Sequence, residues 1–299
     1  MPVLPPDVLA ALLAPIPGDA PGGRDLRYDP RYDAIREARR EDADLPQGAF
    51  VAERKLADWP RVQKDTTALL TTGSKDLQLA AWLTEALLKR HGLGGLGDGL
   101  TVLTGLLQDY WDVCFPELED GDVELRLGPV EWVGAKLDVA VRQVAVAGEG
   151  LTWIQWQDAQ TIPTEAEAKA DREKREFREA RVAEGKRPRD VAEKLVEQTP
   201  KAFYKALVAD AAAVLGAIAT LDRVADERFA DDPPSLVPLR TAVEAVQQVA
   251  SQMLAEKLRL DPDPPEPEPE VAAEAAADAA GGARSATGAP AVTMAAEPA

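Results

Sequence analysis

Among 299 residues there is one cysteine, Cys114, and one histidine, His91. A single thiol excludes an intramolecular disulfide and a cysteine-based metal cluster, and it fits a reducing compartment. A single histidine leaves no Ser-His-Asp or Cys-His set unless His91 itself reaches it. His91 sits in "LKRHGL", the last turn of an expected helix, where a cation offsets the helix dipole. Aromatic residues are only 5% of the chain. No stretch reaches roughly 18 uninterrupted apolar residues, so no membrane span is expected. The start, "MPVLPPDVLAALLAPIP", lacks the basic region and long apolar run of a secretory signal, so the reading is a cytoplasmic chain. Positive charge is also scarce. The net charge is −18, of which −7 falls from Asp261 onward. Such a chain repels polyphosphate, which argues against nucleic acid and toward a basic protein partner.

What is abundant is helix-compatible sequence: Ala, Leu, Glu, Lys and Arg at helical spacing. Asp29-Pro30 reads as an N-cap with proline at the first helical position. Asp58 starts a second helix with Val62, Leu69 and Leu70 inward and Gly73 at its end. Ser74 is expected to cap "KDLQLAAWLTEALLKRHG", a helix apolar nearly all round, with Trp82 and Leu83 central and Gly92 just past its end. Further helical stripes run through Leu100, Leu103 and Leu107, and through Val130, Val133 and Leu137. Residues 144–160 break the pattern. Gly148 and Gly150 suggest a turn, and alternation at Leu151, Trp153 and Gln155 suggests a short extended piece. Thr164 and Glu167 form a capping box for a highly charged segment. From Thr199-Pro200 two amphipathic stripes, one from Tyr204 to Ala225 and one from Leu239 to Met253, make an αα-hairpin. The tail is rich in Pro, Glu and Ala and is expected to be disordered. The reading is therefore all-α: an N-terminal domain at 1–160, a charged connector at 161–198, a second helical domain at 199–260, and a tail at 261–299. The hairpin's two narrow stripes imply a cover, either the first domain or a second copy, and hence a weak homo-oligomer.

Catalytic chemistry finds little support. "IPGDAPGGRDLRYDP" (16–30) is glycine-rich but lacks the Lys and Ser/Thr of a phosphate-binding loop, so it reads as a rigid turn. Cys114 is flanked by aromatics like a core residue. "ELEDGDVE" (117–124) lacks the spacing of a calcium loop and reads as a helix–helix turn. Carboxylate pairs such as Glu37 and Glu41 are expected by chance among fifty-two acidic residues. No catalytic residue, cofactor or metal ligand, and no small-molecule substrate, is expected.

The order of the pieces resembles the N-terminal domain of the TssA (ImpA-related) proteins of bacterial type VI secretion systems. The likeness covers about Leu13 to Val133. It runs through "PIPGDAPGGRDLRYDP", the W-x-x-V of Trp59–Val62, "SKDL" with the following Trp82-Leu83, "GLGGL", "YWD" and "DGD". The resemblance implies a non-enzymatic assembly factor that binds baseplate, tail tube, sheath and membrane-complex components in the cytoplasm. The residues of its motifs are then the candidate partner-binding positions: Arg24, Leu26, Arg27 and Tyr28 in the glycine-rich loop, then Trp59, Lys75, Asp76, Trp111 and Asp122. Family members usually continue into a ring-forming domain, and the chain ending at Ala299 carries no such segment, so no ring is expected. Without the resemblance, the same residues describe a generic acidic helical adaptor for a basic partner.

Overall fold

Aspartate and proline set where the helices begin. Pro6 opens α1 (Pro6–Leu13) and Pro30 opens α2 (Pro30–Arg39), where the Asp29 carboxylate accepts a hydrogen bond from the Arg31 amide at 3.0 Å. Asp58 accepts from the Arg61 amide to cap α3 (Trp59–Thr72), and Asp76 accepts from the Leu79 amide to cap α4 (Leu77–Asp109). These side chains satisfy amides that have no partner within the first turn. The cap of α4 is therefore Asp76. Ser74, the expected cap, is buried two residues earlier in a bridge to Gly23. The computed structural model describes residues 2–42, 54–118, 122–230 and 232–263. The expected disorder of 261–299 lies almost wholly outside them.

Helix α4 is two helices. Gly92 takes φ +65°, ψ −146°, and the chain folds back there. The halves then pack closely through glycine. A Cβ on Gly95 would stand 2.2 Å from the Leu87 carbonyl oxygen, and one on Gly99 would stand 2.6 Å from the Thr84 Cα. Only a residue without a side chain permits that approach. Around this doubled helix pack α3, α5 (Glu124–Arg142) and α10 (Lys201–Phe229), while α11 (Val237–Leu260) lies on α5 and α10. Trp82 and Leu83 are buried at its centre, as their positions in the sequence predict.

Between α5 and α10 the chain makes a hairpin of β1 (Ala145–Ala147) and β2 (Leu151–Thr152), antiparallel, then α6 (Trp153–Thr161), α7 (Glu165–Ala170), α8 (Arg172–Ala183) and α9 (Arg189–Gln198). The extended reading holds only as far as Thr152. Trp153 and Gln155 are helical, because Thr152 and Gln155 form a capping box that starts α6. The box at Thr164 and Glu167 forms as expected. Helix α8 buries none of its residues, in keeping with its charge.

The two helical segments read as separate domains, 1–160 and 199–260, share one core. One hydrophobic cluster runs from Leu12 and Ile35 through Leu83 and Leu100 to Val133, Ile218 and Val243. A smaller one joins Ala147, Leu151 and Ala159 to Ala192 and Leu195 of α9, and Met1–Asp261 forms one compact unit. The apolar stripes of α10 and α11 are covered by α4 and α5 of the same chain. A homo-oligomer through 200–260 would therefore find no uncovered stripe to bury. Helix α10 is long and apolar enough to cross a membrane by length and composition, but Tyr204, Leu207, Ala211 and Val214 are a packing face here.

Candidate interaction site

Three short extended segments lie side by side at the pole where α4 both starts and ends. Residues 22–24 pair with 73–75: the Arg24 amide donates to the Gly73 carbonyl at 3.1 Å, and the Lys75 amide donates to the Gly22 carbonyl at 2.8 Å. Residues 75–77 pair in turn with Phe115, whose amide donates to the Lys75 carbonyl and whose carbonyl accepts from the Leu77 amide, each at 2.8 Å. The two glycines of "PGGR" make this possible. Gly23 has φ +80°, and a Cβ on it would stand 2.2 Å from the Gly73 carbonyl oxygen. A Cβ on Gly22 would stand 2.0 Å from the Val113 carbonyl oxygen. The glycine-rich loop is a rigid structural turn, as its sequence predicts, and its glycines are needed for contact with backbone.

Two buried cations hold the layer together. The Lys75 ammonium donates to the Leu12 carbonyl at 2.6 Å and the Leu70 carbonyl at 2.9 Å, with the Tyr110 ring centroid 5.3 Å away. It closes the last turns of α1 and α3, where the helix dipoles are negative. Burial lowers its pKa to about 8. The Arg126 guanidinium donates to the carbonyls of Pro116, Cys114 and Trp111, and lies 4.9 Å from the Trp111 ring centroid. Cys114 is fully buried, and that burial pushes its thiol up to about 11, out of the range of a nucleophile.

The nine candidate residues divide accordingly. Leu26, Lys75 and Asp76 are buried and serve the fold. Trp59 and Trp111 are half-buried: Lys89 lies over the first ring at 6.0 Å, and the second meets Phe229 edge-on at 5.2 Å. Arg24, Arg27, Tyr28 and Asp122 are exposed. Tyr28 is the extreme case at 90% exposure, and Val113 beside Gly22 is 40% exposed. Arg24, Arg27 and Tyr28 are thus the exposed side chains of one loop, its crest, whereas Trp59 stands at the start of α3. Sequence reasoning missed Arg126. Its signal was weak, a lone arginine in "ELRLGP" after an acidic turn.

Several titratable groups elsewhere are paired. Glu37 meets Lys55, and Glu41 meets Arg54 at 3.3 Å. His91 is exposed with Nε2 3.3 Å from the Gln63 side-chain oxygen, and partial burial lowers its pKa. Asp122 accepts from the Glu124 amide at 2.8 Å. Among the described residues no three or more His, Cys, Asp or Glu side chains converge where they could hold a metal ion.

Residues 13–135 match the family described as ImpA, N-terminal, type VI secretion system. The N-terminal domain of the TssA component from Burkholderia cenocepacia, including its ImpA_N region, superposes with a TM-score of 0.72 at 32% identity, over 85% of this chain and 98% of that one. The chain belongs to the TssA family of type VI secretion proteins. The structural likeness spans 85% of this chain, more than the residues 13–135 that the family model matches. TssA1 of Pseudomonas aeruginosa, a type VI secretion system component, is 34% identical over 111 residues, which are 37% of this chain and 32% of that protein. The chain therefore matches about a third of that TssA's length.

Proposed function

We propose that this chain is a non-catalytic assembly scaffold of a type VI secretion system, working in the cytoplasm. It docks proteins of the baseplate, tail tube, sheath or membrane complex through the crest of its glycine-rich loop. Family membership supports the setting. The observation that carries the site is the split within one loop: Leu26 is buried as the anchor, while Tyr28 stands 90% exposed between it and the start of α2. A large aromatic held out by a rigid turn loses little entropy on binding, and tyrosine is enriched among interface residues that dominate binding energy.

The test is biolayer interferometry of the chain against purified baseplate, tube, sheath and membrane-complex proteins of the same system. At least one should bind, and Tyr28→Ala with Arg27→Glu should weaken that binding at least tenfold while leaving the melting temperature unchanged. Capture of none of them would defeat the scaffold reading. Binding unchanged in the double variant would defeat the crest.

A further inference from the structure

Helix α5 carries a second, unrelated surface. Its inner face (Val130, Val133, Leu137, Val141) packs on α4 and α11. Its outer face is not the polar surface expected of a helix with one side in water. Leu125, Gly128, Trp132, Ala135 and Val139 recur there at alternating steps of three and four. This is the spacing by which one helix receives another. Leu125 is 46% and Val139 53% exposed, Gly128 and Ala135 are exposed, and Trp132 is half-buried. Among the described residues nothing lies within 4 Å of where a Gly128 Cβ would stand, so they leave a notch in the stripe. Small residues at Gly128 and Ala135 let a partner backbone come close, between the larger Leu125, Trp132 and Val139.

The flanks choose the occupant. On one side Glu124, Glu131 and Asp138 repeat every seven residues, forming an acidic row parallel to the apolar stripe. Asp138 is tied to Arg142 within the helix, and Glu124 and Glu131 are exposed. On the other side Lys136 is exposed, and the Arg39 guanidinium, bound to Glu85 at 2.7 Å, lies 5.1 Å from the Trp132 ring centroid, so the acidic edge is on one flank alone. The geometry points to α5 as the docking groove for an amphipathic helix from another protein, one with an apolar seam and a lysine- or arginine-rich edge. A second copy of this chain fits less well. In an antiparallel pair the acidic rows would face each other, and each copy carries a net charge of −18. The groove shares no residue with the crest at Tyr28, which belongs to the glycine-rich loop.

The probe is a labelled 21-residue peptide with leucines at the a and d positions, lysines along the edge that meets the acidic row and neutral glutamines along the other. It has two controls: the same composition scrambled, and a version with glutamates in place of the lysines. Binding to the full chain is followed by fluorescence anisotropy at physiological salt. The lysine-edged helix should bind at least tenfold tighter than either control. Leu125→Ser with Val139→Ser, which leaves charge unchanged, should abolish that margin without changing the melting temperature. Glu131→Lys should reduce it at least threefold. Equal binding of the scrambled peptide, or no effect of the serine pair, would overturn the proposal by showing attraction to acidic surface in general. Light scattering that finds a dimer dispersed by the serine pair would overturn it in favour of a second copy.

Discussion

At the scale of single residues, Lys75 and Asp76 show how a motif can hold a fold rather than a ligand. The sequence places them in a polar turn between two apolar helices, which reads equally well as an exposed site. Nothing in the local pattern says that the ends of α1 and α3 converge on Lys75, because Leu12 lies 63 residues away along the chain. Burial raises Asp76 from 3.8 to about 6. The folded chain therefore holds that proton more tightly than the unfolded one. The stabilising contribution is complete below about pH 4 and is lost as pH rises through 6. Asp76→Asn keeps a capping side chain but cannot titrate. In urea titrations the parent should gain about 2 kcal/mol relative to this variant on going from pH 7 to pH 4, since each tenfold difference in proton affinity is worth roughly 1.4 kcal/mol and the unfolded carboxyl is itself partly protonated at pH 4. A difference that stays constant across that range would mean that Asp76 titrates as if exposed.

At the scale of elements, most helices were legible because their caps are local. Asp29, Asp58 and Thr164 act where their neighbours in sequence place them. The break at Gly92 was legible for the same reason. Gly95 and Gly99 were not. Their role is a contact with Leu87 and Thr84 across the fold-back, and a glycine in a helix looks like a weakness until its neighbour is known. The two kinds of glycine can be told apart by experiment. Gly99→Ala forces a Cβ toward the Thr84 backbone and should cost about 1–3 kcal/mol. Gly97→Ala meets only the Val214 side chain at 3.6 Å, and should be neutral or stabilise by up to about 1 kcal/mol through helix propensity. Chemical denaturation of both variants decides the matter. Equal effects would mean that the two halves of α4 do not pack as described. The extension of the strand reading into α6 failed for a related reason. Alternation at Leu151, Trp153 and Gln155 fits a strand, but the Thr152–Gln155 capping box overrides it.

At the scale of the whole molecule, periodicity revealed the stripes of α10 and α11 but could not say what covers them. Two narrow apolar faces look like an invitation to a second copy, and only the packed structure shows α4 and α5 already there. Val243 and Val246 are fully buried. Replacing both with glutamate should therefore cost several kcal/mol as uncompensated buried charge, and should unfold the chain rather than release monomers. Light scattering with circular dichroism distinguishes these outcomes, and a folded monomer from the double variant would revive the interface. The stitched pole beneath the crest also bears on how the molecule breathes. Outside helices, amides usually trade their hydrogens with solvent quickly, since local openings expose them at little cost. Here Arg24, Lys75, Leu77 and Phe115 each donate to a carbonyl on another segment of the layer. Arg24 and Lys75 can open only if the glycine-rich loop parts from residues 73–75, and Leu77 and Phe115 only if the start of α4 parts from the segment after its end. In heavy water these four should be among the last to exchange, at rates matching the buried turns around Leu83, while the Tyr28 amide a few residues away exchanges at once. Fast exchange at Arg24 and Lys75, with Leu77 and Phe115 still protected, would mean that the loop detaches from the body independently, leaving Tyr28 on a tether instead of a fixed mount.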